Sequence, residues 1–128
     1  MKFKCKEISI NDEELGCTIT LSDRKVQNNY DKNMTVEEIL NSLRQYILLQ
    51  RTYPEDEFEE DFYYFETSEF DKSGELDDFE IILSKNSFIL TIESDIYEIQ
   101  INPSKQKWDE LKDILKKITV KKGKLIIK

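Results

Sequence analysis

At 128 residues, with a formal net charge of −8 and 36% charged side chains, the chain has the length of one ordinary domain, and it has too little Gly and Pro for a low-complexity segment. The complete absence of histidine excludes Ser-His-Asp and Cys-His catalysis, His-ligated zinc and an imidazole switch, and two cysteines cannot build an all-thiolate zinc site. The acidic balance disfavours nucleic-acid binding, which needs a basic face for phosphate, and no stretch approaches the ~18 apolar residues of a membrane span.

The opening MKFKCKEISI sets Lys on alternate positions without a continuous apolar run. It is unlike a secretory signal, so a cytoplasmic location is expected. Phe3, Cys5, Ile8 and Ile10 read as one half-buried strand of period two. NDEELG (11–16) supplies turn chemistry, and LGCTITL (15–21) resumes the alternation at Cys17, Ile19 and Leu21. Together they predict a hairpin whose loop exceeds two residues, with Cys17 facing Ile8. Both thiols read as buried and reduced.

Residues 22–33 are polar and read as a loop. Thr35-Val36-Glu37-Glu38 is a capping box, and Val36, Ile39, Leu40 and Leu43 follow at helical spacing, predicting a short helix. Ile47 extends that face, yet residues 46–53 suit a pleated strand equally, and periodicity alone leaves the choice open. Pro54 closes the segment.

DFYYFET (61–67) predicts an aromatic strand with Phe62 and Tyr64 on one face and Tyr63 and Phe65 on the other. Residues 76–83, 88–93 and 97–101 predict three more strands, and their short connections point to an antiparallel meander. Ser104 is the expected N-cap of a final helix. Its stripe of Trp108, Leu111, Ile114, Leu115 and Ile118 packs on the sheet. Residues 119–128 are basic, with residues 125–127 as an edge strand. The expected fold is α+β: a mostly antiparallel meander sheet of six or seven strands in a single domain over residues 1–128. One short helix follows the N-terminal hairpin, and a C-terminal helix covers one face.

Between Glu55 and Glu80 stand thirteen carboxylates against one cation, Lys72. The segment therefore carries −12, and the rest of the chain +4. Such a field bears on partners and solubility rather than on fold. A solubility surface needs no partner. Phe58, Phe62, Tyr63, Tyr64, Phe65 and Phe70 interleave with the acids, however, and aromatic anchors in a charged rim are what a protein interface uses. The candidate partner-binding residues are Glu55, Asp56, Glu57, Phe58, Glu59, Glu60, Asp61, Tyr63, Asp71, Glu75, Asp77 and Asp78. Reversing Glu57, Glu59, Glu60 and Asp61 to Lys is expected to cost little folding stability. From Ser104 onward nine lysines face three acids, a segment suited to phosphate or to the chain's own acidic stretch.

Residues 69–80 match much of a calcium loop. Glu69, Asp71 and Ser73 occupy the first, third and fifth places, Gly74 the sixth, Leu76 the eighth, Asp77 the ninth and Glu80 the twelfth. Glu in place of Asp at the first position and strand-like flanks count against it. A calcium-binding module with ligands Glu69, Asp71, Ser73, Asp77 and Glu80 is the alternative function; otherwise no metal or cofactor is expected. Hydrolysis by paired carboxylates would need an enclosed cleft, and the three isolated glycines build no phosphate cradle.

The chain resembles immunity protein family ten of bacterial polymorphic toxin systems. The resemblance lies in YILLQRT (46–52), YYFE (63–66), Ser73-Gly74, Glu80 and LSKN (83–86), roughly a third of the chain. Members of that family carry more glycine after the Ser-Gly, where this chain has Glu75-Leu76-Asp77-Asp78. They also reach the Leu-Gln-Arg strand without so clear a capped helix. The resemblance implies an intracellular protein that neutralises a cognate toxin, tips residues 46–52 toward strand, and supplies no catalytic residue. The reading is thus a stoichiometric inhibitor and not an enzyme. Its partner would be a toxin protein basic at the contacted surface, with no nucleic acid or membrane involved, and a homodimer is compatible with it.

Overall fold

The computed structural model describes residues 1–24, 45–69 and 72–128. Their elements run β1 (Lys2–Lys4), β2 (Glu7–Glu13), β3 (Gly16–Ser22), β4 (Tyr46–Thr52), β5 (Phe62–Thr67), β6 (Gly74–Glu75), β7 (Glu80–Ser84), β8 (Ser87–Ile92), β9 (Asp95–Gln100), α1 (Lys105–Ile118) and β10 (Lys124–Ile127). They form two five-stranded sheets, the first in the order β2-β3-β4-β5-β6 and the second in the order β1-β9-β8-β7-β10.

This overturns the expectation of one meander sheet with two helices. The described residues form two sheets and a single C-terminal helix. The helix expected after Thr35 falls in residues 25–44, outside the described residues. Nor is the pairing a pure meander, since β1 runs parallel to β9 and β10 parallel to β7. Both pairs join strands far apart in sequence, which leaves ample chain for a parallel crossover.

The two sheets part at residues 5 and 6. The amide of Cys5 donates to the Gln100 carbonyl at 2.8 Å, and the next amide, of Lys6, donates to the Ser22 carbonyl at 2.7 Å. Adjacent residues therefore serve different sheets, and the single strand expected over residues 3–10 is two. The first hairpin also differs from expectation. Its turn is the two residues Glu14 and Leu15, so Cys17 lies opposite Asp12 rather than Ile8.

β4 settles the open segment as a strand at the centre of the first sheet, with Leu49 opposite both Ile19 of β3 and Phe65 of β5. Alternate positions Cys17, Ile19, Leu21, Ile47, Leu49, Tyr63 and Phe65 point inward. They join Ile81, Leu83, Phe88, Leu90, Tyr97 and Ile99 of the second sheet in one core cluster. Phe65 and Tyr97 meet edge to face with ring centroids 5.3 Å apart, an arrangement that favours aromatic pairs beyond their area alone. α1 closes the core with Leu111, Ile114, Leu115 and Ile118 and runs against β2 and β3. Its N-cap is Ser104, whose Oγ accepts the Lys107 amide at 3.2 Å, and Lys116 and Lys117 complement the dipole of its last turn. Beyond it, Gly123 (φ +83°) lies so close to Phe79 that a Cβ would stand 2.3 Å from the ring. Only glycine lets the chain turn over that ring into β10.

Candidate docking surface at one end of the first sheet

The register gathers residues that the sequence keeps apart. Gly16 lies opposite Thr52, and Thr52 opposite Phe62, so the β2–β3 turn and the connection from β4 to β5 emerge at the same end. The amide of Tyr53 donates to the Leu15 carbonyl at 2.9 Å and ties the two together. β6 returns the chain along β5, with Tyr64 opposite Glu75 and the Leu76 amide donating to the Tyr63 carbonyl. Asp77 and Asp78 therefore approach that end as well.

Residues 54–60 form its most exposed part. Asp56 Oδ1 accepts the Phe58 amide at 2.9 Å, and Glu59 Oε2 accepts the Glu55 amide at 3.0 Å, the local side-chain bonding by which such residues shape turns. Glu55, Asp56, Glu57, Glu59 and Glu60 are all exposed, and none makes an ion pair among the described residues. Phe58, in their midst, is 88% exposed.

One residue further on, the chemistry reverses. The Asp61 side chain is only 3% exposed and accepts Arg51 Nε at 2.6 Å and Lys121 Nζ at 2.7 Å. Burial pushes its carboxyl up, but the bonds from Lys121 and Arg51 outweigh that and hold it below the usual carboxylate range. Arg51 also donates through Nη1 to the Lys117 carbonyl at 2.7 Å and stacks over Tyr53, 5.0 Å from the ring centroid. Lys117 pairs with Asp12, which also accepts the Tyr53 hydroxyl at 2.8 Å. Lys122 reaches Asp77 at 3.2 Å. The basic segment from Lys117, in the last turn of α1, to Lys122 thus serves this chain's own acids at Asp12, Asp61 and Asp77.

Two candidate contact residues are therefore corrected. Asp61 is a buried structural anion, and its reversal to Lys would set three cations together. Tyr63 is 1% exposed and faces the core, because it shares the inward parity of Phe65 in β5. Glu75, Asp77 and Asp78 are exposed. Asp71 and Phe70 lie outside the described residues.

The residues of the calcium-loop pattern have other engagements. Ser73 Oγ accepts the Thr67 amide at 3.1 Å, Asp77 is paired with Lys122, and Glu80 lies in β7 opposite Thr91 and Lys124. Glu69 is exposed. Among the described residues no group of three or more His, Cys, Asp or Glu side chains is placed to hold a metal.

No family model matches this chain, and neither does any curated protein or solved structure. Among the described residues no helix is long and apolar enough to cross a membrane.

The segments YILLQRT and YYFE, which carry the family resemblance, lie side by side in β4 and β5. On their outer face Tyr46 and Tyr64 donate their hydroxyls to the two Glu66 oxygens at 2.8 and 3.0 Å. Burial, then the adjacent Glu66, pushes the Tyr46 hydroxyl up to about 12. On the inner face Arg51 anchors Asp61, where the acidic loop rejoins the sheet. Sequence reasoning missed Leu15 and Val120, exposed by 67% and 66%. Leu15 shares the parity of Cys17, Ile19 and Leu21, and Val120 follows the buried Ile118 by two residues, so the pattern alone marked neither as exposed.

Proposed function

We propose that this protein is a cytoplasmic immunity protein that neutralises a toxin by binding it in stoichiometric complex and makes or breaks no covalent bond. The observation that carries this reading is residues 54–60: five carboxylates without an ion pair among the described residues surround a phenylalanine that is 88% exposed. Solubility accounts for the carboxylates alone but gains nothing from an exposed ring among them. A binding surface uses both. Unpaired charge steers a basic partner at rates well above those of neutral encounter, and the ring then loses its contact with water. Fully burying such a ring is worth about 1.5–3 kcal/mol.

Neutralisation on this reading is occlusion: the acidic end covers a positively charged surface that the toxin needs. The resemblance to immunity proteins supports it, since the shared Arg51 holds Asp61 and with it the C-terminal root of the loop.

The test is association with the protein encoded immediately upstream, measured by stopped flow across salt concentrations. A Glu57→Lys, Glu59→Lys, Glu60→Lys variant, which leaves Asp61 intact, is expected to associate at least tenfold more slowly at low salt with a shallower salt dependence. Its stability should stay within about 0.5 kcal/mol of the parent, as for surface positions generally. Unchanged rates and salt dependence would remove the reading.

A further inference from the structure

We infer that the docking surface is composite, with Leu15 and Val120 joining Phe58 and Phe62 as apolar anchors for a protein partner whose basic face encloses an apolar patch. This inference rests on the immunity reading and specifies what the partner must offer.

The exposed large hydrophobic side chains among the described residues are Leu15, Phe58, Phe62, Ile96, Val120 and Ile127. Four of these six belong to one end of the first sheet, although they come from three separate parts of the chain. Leu15 lies in the β2–β3 turn, bonded through its carbonyl to Tyr53 at the start of the acidic loop. Phe62 opens β5 and is 47% exposed. Val120 sits between Lys117 and Lys121, whose ammonium groups are held by Asp12 of β2 and Asp61 at the foot of β5. Those two ion pairs bring the end of α1 to the same place.

From β2 to β5 are three inter-strand steps, about 14 Å, whereas a standard interface covers about 800 Å² per partner, roughly 28 Å across. The edge therefore fits one footprint, and a partner meeting all four side chains must wrap the sheet end, because Phe62 has the outward parity and Val120 follows α1 on the inner side. Their setting matches the usual anatomy, apolar anchors within a polar rim. Glu13 and Glu14 flank Leu15, and the five loop acids flank Phe58. Glu13 and Glu14, like those five, make no ion pair among the described residues.

That rim decides the occupant. A second copy meeting through the same end would set like charge against like across the dyad, which costs several kcal/mol in an interface. A basic partner gains from every one of those carboxylates. The chemistry selected is thus a protein surface rich in Lys and Arg around an apolar depression.

The experiment compares three variants against the protein encoded immediately upstream, with rates from surface plasmon resonance and stability from thermal unfolding. Leu15→Ser with Val120→Ser is expected to dissociate at least tenfold faster, with association rate, salt dependence and melting temperature close to the parent's, because both side chains face solvent. The Glu57→Lys, Glu59→Lys, Glu60→Lys variant is expected to show the converse, slower association. Ile96→Ser, at an exposed site in β9 of the second sheet, is expected to bind as the parent does. Parental dissociation by the Leu15/Val120 variant, with the charge variant still impaired, overturns the composite surface and leaves the immunity reading standing. No binding by the parent protein overturns both. Self-association through this end, seen by analytical ultracentrifugation and abolished by the Leu15/Val120 changes, overturns the choice of occupant.

Discussion

Residues 54–60 and residue 61 are neighbours of the same charge with opposite fates. The five loop acids stand in solvent without a cation among the described residues, whereas Asp61 is enclosed between Arg51 and Lys121. What separates them is reach. The basic segment from Lys117 in the last turn of α1 to Lys122 beyond it meets Asp12, Asp61 and Asp77, and among the described residues it pairs with none of the loop acids. Carboxylate density therefore says little about role; proximity to that segment divides structural acids from free ones.

The comparison breaks most readily at Asp61. Asp61→Asn leaves Arg51 in a mostly covered site with its charge uncompensated, and removing one partner of such a pair costs about 3–5 kcal/mol. Urea denaturation at neutral pH measures this, and a loss under about 1 kcal/mol would mean that solvent alone compensates the Arg51 charge. The same variant tests the sign of the pH dependence. The folded state holds the Asp61 carboxyl below its usual range, so its contribution is fully present above the unfolded value near ~3.9 and is lost as pH falls through the lower, folded value. The gap in stability between parent and Asp61→Asn should accordingly be constant above about pH 5 and close below about pH 4.

A smaller effect is expected at Gly123. Alanine there must adopt a positive φ and displace the Phe79 ring, at a cost of about 2 kcal/mol, and the segment carrying Lys121 and Lys122 should loosen with it. Hydrogen exchange in β10 sharpens the comparison if protection falls there while the amides of β7 and β8 keep theirs. The smallest effect belongs to Lys122→Ala. Asp77 is largely solvated, so breaking this pair should leave the melting temperature close to the parent's, and on the proposed function the altered charge should appear only as faster association with the toxin.

Much of this was legible in the sequence. α1 has its N-cap and buried stripe where Ser104 and the Leu111–Ile118 spacing place them, and most strands have the expected inward parity. The division into two sheets was not legible, because a period of two says which side chains face inward and not which sheet receives them. One clue was present: the apolar positions shift from odd (Phe3, Cys5) to even (Ile8, Ile10), and the chain changes sheets between them. The short connections suggested a meander because they describe consecutive strands only. They are silent on β1 and β10, whose parallel partners are distant in sequence. For the candidate surface, composition located the acids, whereas parity should have excluded Tyr63 and only the register could bring in Leu15 and Val120.

The hydrogen bond from Tyr53 to Leu15 fastens one root of the acidic loop and the Arg51–Asp61 pair fastens the other, with two side-chain bonds bracing the residues between. The conformational entropy of that loop is consequently surrendered during folding rather than at encounter. On the proposed function a partner would therefore meet a preorganised shape, and ordering costs of about 0.5–1.5 kcal/mol for each immobilised side chain would not be met again on contact.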